Sequence, residues 1–314
     1  MSHLIEQWNF NSTPAIQVQQ PDSRIEPNHW YHCQRDAPGL KQWLTQNQVP
    51  AGLIDSILAE ETRPTFEQYD GENFVLILRG INMNENSSPE DMLSIRLLYF
   101  NGALISTRKT PSKAVSTVRE KLAAHTGPNN LHSLIQQIID GLNTNLDRFL
   151  ATLEARIEQF DSLTSLTEEV VSTHKALLKT KRFIRPQLYA IKDYRLSNSE
   201  LAQASEERLK HSVNTVTRIN ENIEFYIGEL DLIANELRHF HSEKMNQNTY
   251  LFSIVAAIFL PTSFLTGLLG INIGGMPGVE DPQAFWLFSG GILGIFVLEL
   301  FILNRLGFFS QRGK

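Results

Sequence analysis

His239 and His241 carry imidazole, which prefers Zn2+ to Mg2+, and they stand just before a long apolar stretch. Residues two apart on a helix do not share a face, so the two cannot hold one ion within a single chain. His239 could act only across copies, and both otherwise read as surface histidines. His29, His32 and Cys33 in HWYHC are a second group of metal-ligating types, but in a strand His29 and His32 face opposite sides. His211 with Glu207 is one i,i+4 pair of the kind common on solvated helix surface. Glu280 and Asp281, between two apolar stretches, would attract cations by focusing the field at a pore mouth, or are merely solvated. No HExxH, no G-x-x-x-x-G-K-[ST] and no nucleophile elbow is present, and the glycines of GLLGINIGGMPG lack the Lys-Ser/Thr of a phosphate loop. Nothing here speaks for an enzyme or for a permanently bound cofactor.

A stripe of side chains points elsewhere. Counting by three and four from Asn246 gives Thr249, Ser253, Ala256, Leu260, Ser263, Gly267 and Gly270, all small or polar except Leu260. The other faces carry Leu251, Ile254, Val255, Ile258, Phe259, Phe264, Leu265 and Leu268. Small residues at this spacing let helices pack closely in a bilayer. The same stripe would line a water-filled pore if several copies surround an axis. Pro261 suits either reading, because it leaves the Ala257 carbonyl without its helical donor. Upstream the count continues through His239, Asn235, Arg218, Asn214 and His211, although a straight helix drifts about 20° per heptad from a 3.5 repeat.

The elements that must position this stripe are two membrane spans. Thr249 to Ile271 is 23 uncharged residues, long enough at about 1.5 Å each to cross hydrocarbon. Ala284 to Leu303 is a second span, interrupted only by Glu299, whose carboxylate would reach the interface or pair with Arg305. Arg238 and Lys244 before the first span and Arg305, Arg312 and Lys314 after the second put both termini in the cytosol. MSHLIEQWNF has no apolar h-region, so a cleaved signal peptide is not expected.

Upstream, residues 1–128 read as a cytosolic α+β domain. Asn73–Ile81 and Ser94–Thr107 predict strands, with Asn101-Gly102 as a hairpin turn, and Gly39–Ala59 carries helical periodicity. Residues 129–197 predict an antiparallel helix pair: Leu131, Leu134, Ile135, Ile138, Leu142, Leu146, Phe149, Leu153, Ile157 and Phe160 keep 3/4 spacing, and Pro186 marks a kink in the second helix. From 198, after the SNSE capping signal, one stalk helix runs without a stop into the first span and to 272. A loop at 273–283, a second span at 284–304 and a tail at 305–314 complete the chain.

Composition sets outer limits. The 28 basic and 34 acidic side chains leave a formal charge of -6, which argues against general nucleic-acid binding. One cysteine cannot close an intramolecular disulfide or build a Cys-rich zinc site.

Leu260-Pro261, Phe264, Gly267 and Gly270-Ile271-Asn272 at the end of the first span resemble the CorA superfamily of divalent-cation transporters, and the order of elements is similar over the whole chain. Magnesium channels of that superfamily end the span in Gly-Met-Asn. Gly-Ile-Asn followed by IGGMPG is similar to its ZntB-type zinc-transporting branch. The resemblance implies a homopentameric funnel in the bacterial inner membrane, with the first span around the axis and Zn2+, and with it Cd2+, Ni2+ or Co2+, as transported substrate. Five Asn272 amide oxygens around such an axis would hydrogen-bond the water shell of a divalent ion, a contact that senses charge and size more than ligand preference. The branch is associated with proton-linked zinc movement, yet no ionisable residue except Tyr250 lies between Met245 and Gly270. The rival readings are a Mg2+, Co2+ or Ni2+ channel of the CorA type and a non-transporting coiled-coil scaffold.

Overall fold

A computed structural model describes residues 3–20, 23–160, 167–271, 278 and 280–305. The chain divides into two compact units, 1–235 and 236–314.

The first unit is built on a seven-stranded sheet of β1 (Leu4–Asn9), β2 (Ile16–Gln17), β3 (His29–Gln34), β4 (Thr65–Gln68), β5 (Phe74–Gly80), β6 (Leu93–Phe100) and β7 (Ala103–Arg108), in spatial order β2-β1-β3-β7-β6-β5-β4. Every neighbouring pair is antiparallel except β3 and β7, where Trp30 to Gln34 run beside Leu104 to Arg108. The predicted strands are β5 and the β6–β7 hairpin. Asn101 and Gly102 turn that hairpin with φ of 49° and 79°, angles that Asn and Gly accept most readily.

One face of the sheet is covered by α1 (Leu40–Gln46) and α2 (Ala51–Leu58), which bury Trp43, Leu44, Leu53 and Ile57 with Tyr31, Val75, Ile77, Leu98 and Ile105. The periodicity from Gly39 to Ala59 is therefore split in two. Gln48 adopts a left-handed φ of 60°, and Pro50 disfavours helical geometry at Val49. Arg96, fully buried on this face, donates to the carbonyls of Ile57, Ala59 and Glu60 and so closes the C-terminus of α2.

The other face carries α3 (Lys113–Ala123), α4 (Leu131–Phe160) and α5 (Glu168–Leu196). Asn130 caps α4 by accepting from Ser133 N–H at 2.9 Å, and Thr167 accepts from Val170 N–H at 3.4 Å to cap α5. The buried residues of α4 follow the spacing read from sequence, except that Leu150 rather than Phe149 is buried. Leu142 seats on Gly80, where an added Cβ would lie 2.5 Å from its Cδ2.

The stalk helix does not start at Ser199. A four-residue helix, α6 (Glu200–Gln203), is closed by a Ser205 N–H to Ala202 carbonyl bond three residues back, and Ser205 then accepts from Leu209 as α7 (Glu206–Gly270) begins. In the first unit α7 buries Leu209, Val213, Val216, Ile219, Ile223, Tyr226, Leu230 and Ile233 on one face.

In the second unit the remainder of α7 buries Leu237 and, among the described residues, no side chain after it. Pro261 lies inside the helix without ending it. The second apolar helix is α8 (Ala284–Arg305), and in the turn before it the Asp281 carboxylate accepts from Gln283 N–H at 2.9 Å and the Asp281 carbonyl accepts from Ala284 N–H. Partial cover falls on single stripes: Tyr250, Ile254, Ile258, Thr262 and Leu265 on α7, and Phe288, Ile292, Ile295 and Glu299 on α8. Both helices are long and apolar enough to cross a bilayer.

Candidate functional site

Asn246, Thr249, Ser253, Ala256, Leu260, Ser263, Gly267 and Gly270 all lie on α7 and are exposed, Leu260 to 70%. The apolar Phe252 and Phe259 on other faces are as open, at 75% and 62%. Two of the stripe's hydroxyls are turned inward. Thr249 donates to the Met245 carbonyl at 3.0 Å and Ser253 to the Thr249 carbonyl at 2.9 Å, so each satisfies its own proton and leaves oxygen lone pairs outward. Ile271 is exposed, and Asn272 lies outside the described residues. In the first unit the upstream count continues on the exposed side: His211, Asn214, Arg218, Glu221, Phe225, Gly228, Leu232 and Asn235 are all exposed.

His239 and His241 are exposed on α7, about 200° apart around its axis, and are not brought together. Among the described residues no three His, Cys, Asp or Glu side chains form a group able to hold a metal ion. The HWYHC residues begin at β3's first residue, and each histidine there has its Nδ1 engaged. His29 Nδ1 lies 2.9 Å from the Pro27 carbonyl, and His32 Nδ1 lies 2.7 Å from Ser106 Oγ. Burial pushes the fully covered Cys33 thiol well above its ordinary range, so it is no thiolate ligand. Glu280 is exposed, and Asp281, also exposed, spends one carboxylate oxygen on Gln283 N–H in the turn before α8.

Sequence reasoning missed two arrangements. Glu299 forms no ion pair with Arg305; it is half-buried, with Oε2 covered and without a hydrogen-bond partner. In the first unit, Asp140 and Asp147 of α4 face Glu207, His211 and Arg218 of α7 across an open polar cavity of about 550 Å3. Arg218 bridges it to Asp147 at 3.2 Å, and Asp140 accepts from Gln136 and Ser212 at 2.8 and 3.1 Å. The signal for the cavity was polar residues at i, i+3 and i+7 on two helices whose opposite faces are apolar.

A sheet domain, long helices and two C-terminal helices apolar enough to cross a bilayer, with a small and polar stripe on the first, follow the order of elements expected of a CorA-like chain. The chain belongs to the family of CorA-like Mg2+ transporter proteins, whose sequence model matches residues 27–305. It is 53% identical over 99% of both chains to the zinc transport protein ZntB of Vibrio parahaemolyticus, and 30% identical, over 90% of this chain and 87% of the relative, to the divalent cation transporter CmaX of Pseudomonas aeruginosa. The crystal structure of the V. parahaemolyticus ZntB cytoplasmic domain matches 77% of this chain and all of its own, at 49% identity and a TM-score of 0.74. The full-length CmaX structure matches 97% of this chain and 98% of its own, at 26% identity and a TM-score of 0.82. The complete CorA magnesium transporter of Methanocaldococcus jannaschii, 16% identical, shares the fold with a TM-score of 0.78 over 96% of this chain and 98% of its own.

Proposed function

We propose that this protein transports Zn2+ across the bacterial inner membrane, with both termini cytosolic. The observation that carries the reading is the 53% identity, over essentially the whole chain, to a zinc transport protein. Five copies surround an axis lined by Asn246, Thr249, Ser253, Ala256, Leu260, Ser263, Gly267 and Gly270, and Gly270-Ile271-Asn272 forms a ring at the periplasmic mouth. The exposure of that entire stripe in the single chain supports this placement. Residues 1–128 and 129–197 with the stalk from 198 are the cytosolic part, 273–283 the outer loop carrying Glu280 and Asp281, 284–304 the second span and 305–314 the tail. His239 and His241 are the side chains for zinc chemistry below the membrane, each acting with its counterparts in other copies, and a proton gradient drives the flux.

The test is entry of Zn2+ into proteoliposomes holding a fluorescent chelator, with and without an imposed pH gradient, repeated with Mg2+. Zinc flux that exceeds Mg2+ flux and accelerates with the gradient is expected. An Asn272→Ala substitution should lower divalent-cation flux about tenfold or more, since the ring's only hydrogen-bonding side chain is lost. Equal Mg2+ flux indifferent to pH would move the chain to the magnesium-channel reading, and no flux of either ion would leave a scaffold.

A further inference from the structure

Glu299 is the one carboxyl group within either apolar stretch, and Tyr250 is the only other side chain that ionises between Met245 and Gly270 or between Ala284 and Asn304. Glu299 stands six residues, or about 9 Å, before Arg305 at the end of α8, among Val297, Leu298, Leu300, Phe301 and Ile302. Six residues also turn a helix through about 240°, so Arg305 leaves α8 on another side and the two form no ion pair. Glu299 is half-buried, and its Oε2 is covered without a hydrogen-bond partner. A carboxylate taken from water and left unpaired is costly, whereas the same group carrying a proton loses much less.

The cover on Glu299 ties it to α7. Glu299 continues the covered stripe Phe288, Ile292 and Ile295 of α8, and α7 has its own covered stripe in Tyr250, Ile254, Ile258, Thr262 and Leu265. These are the faces that two apolar helices joined by a short loop bury against each other. At 100° per residue the covered stripe of α7 stands about 150° from Thr249, Ser253, Ala256, Leu260 and Ser263, so α8 backs the helix that presents them. Among the described residues, the titratable or charged groups of these lengths of helix beside Glu299 are Tyr250 on α7 and Arg305 on α8, and neither is a second carboxyl that would share its proton.

We propose that Glu299 is the group through which a proton gradient acts on transport. Its carboxyl takes a proton from water reaching it from the outer side and holds it while α8 is closed on α7. As the two helices part, the O–H bond breaks and the proton passes to cytosolic water about 9 Å away. Protonation therefore favours the closed packing and ionisation the parted one, which links the proton to the position of α7. Because α7 carries the small and polar stripe on its far side, a change in its packing on α8 moves that stripe. Glu299 touches neither the ion nor the axis and is a positioning residue. The inference deepens the proton-driven reading above and rests on it.

Zinc entry into proteoliposomes holding a fluorescent chelator, with and without an imposed pH gradient, tests it on the wild type, Glu299→Gln and Glu299→Asp. The wild type should accelerate with the gradient, Glu299→Gln should lose the acceleration entirely, and Glu299→Asp, which keeps a carboxyl, should restore it in part. Acceleration of Glu299→Gln equal to that of the wild type would overturn the assignment and leave proton-driven transport standing. A wild type indifferent to the gradient would overturn both. If Glu299→Gln carries no zinc at all, the wild-type protein decides. An apolar carbodiimide, which adds to protonated carboxyls, should label Glu299 in membranes faster in acidic than in alkaline medium, and the acceleration should fall in proportion to the label found on that peptide by mass spectrometry. No label at any pH, or complete label with the acceleration intact, would overturn the proposal.

Discussion

His32 and Cys33 are neighbours in β3, both of metal-ligating type, and both are buried away from any group able to hold a metal among the described residues. The Cys33 thiol keeps its proton, and His32 is pushed down to about 3, first by burial and then by the charges of Arg108 and Arg119. The consequence is a pH dependence of stability. In the unfolded chain His32 binds a proton below about pH 6.5, whereas in the fold it stays neutral until about 3, so the unfolded state holds more protons in that window and stability falls as pH drops. The loss is on the order of 1.4 kcal/mol per pH unit between these limits. A His32→Asn variant should be less stable at neutral pH yet lose stability less steeply as pH falls from about 6.5 to about 4. Urea titrations followed by tryptophan fluorescence read both effects, and a slope equal to that of the wild type would mean that the folded chain protonates this ring. The separation of His29 and His32 was legible in strand parity. Their hydrogen bonds were not, because Ser106 is 74 positions away from His32 in the chain and only the parallel β3–β7 register brings it alongside.

Among the elements, what the sequence made legible was whatever depends on local pattern: β5, the β6–β7 hairpin and the buried stripe of α4. Breaks set by contacts or backbone geometry were not. The division between α1 and α2 turns on a left-handed Gln48 just ahead of Pro50, and α6 is one tight turn in which Ala202 is wholly buried. Arg96 belongs with these, since nothing in SIRLLYF marks an arginine that would be fully buried. It answers three carbonyls at the end of α2, and burial with the charges of Arg35 and Arg79 lowers it to about 10. Arg96→Met, similar in length but without donors, should cost about 2–4 kcal/mol by leaving those carbonyls unpaired. A urea midpoint within error of the wild type would mean that water replaces the guanidinium there. Gly80→Val tests the sheet–helix contact instead: with Leu142 seated at 2.5 Å from any Cβ, overpacking should destabilise by about 1–3 kcal/mol. Gly80→Val combined with Leu142→Ala should recover part of that loss if the clash is the cause.

For the whole molecule the open choice was always whether the small and polar stripe of α7 faces a pore or a packed helix, since the same residues serve both. The stripe is exposed along its whole length, whereas Ile254, Ile258 and Leu265 on another face are partly covered. The lipid-facing alternative is marked by Phe252 and Phe259, 75% and 62% exposed. The chain is suited to deciding this chemically, because its one cysteine, Cys33, is fully buried and unreactive. Single cysteines at Ser253, Ala256 and Ser263 should react in membranes with a charged thiol reagent at least about tenfold faster than cysteines at Phe252 and Phe259, because only a thiol in contact with water ionises. Divalent cations added to the same membranes should slow the three fast positions and leave the other two unchanged. If instead the three stripe positions are as slow as the phenylalanine positions, the stripe is a helix–helix seam and the axial path must be sought on another face of α7.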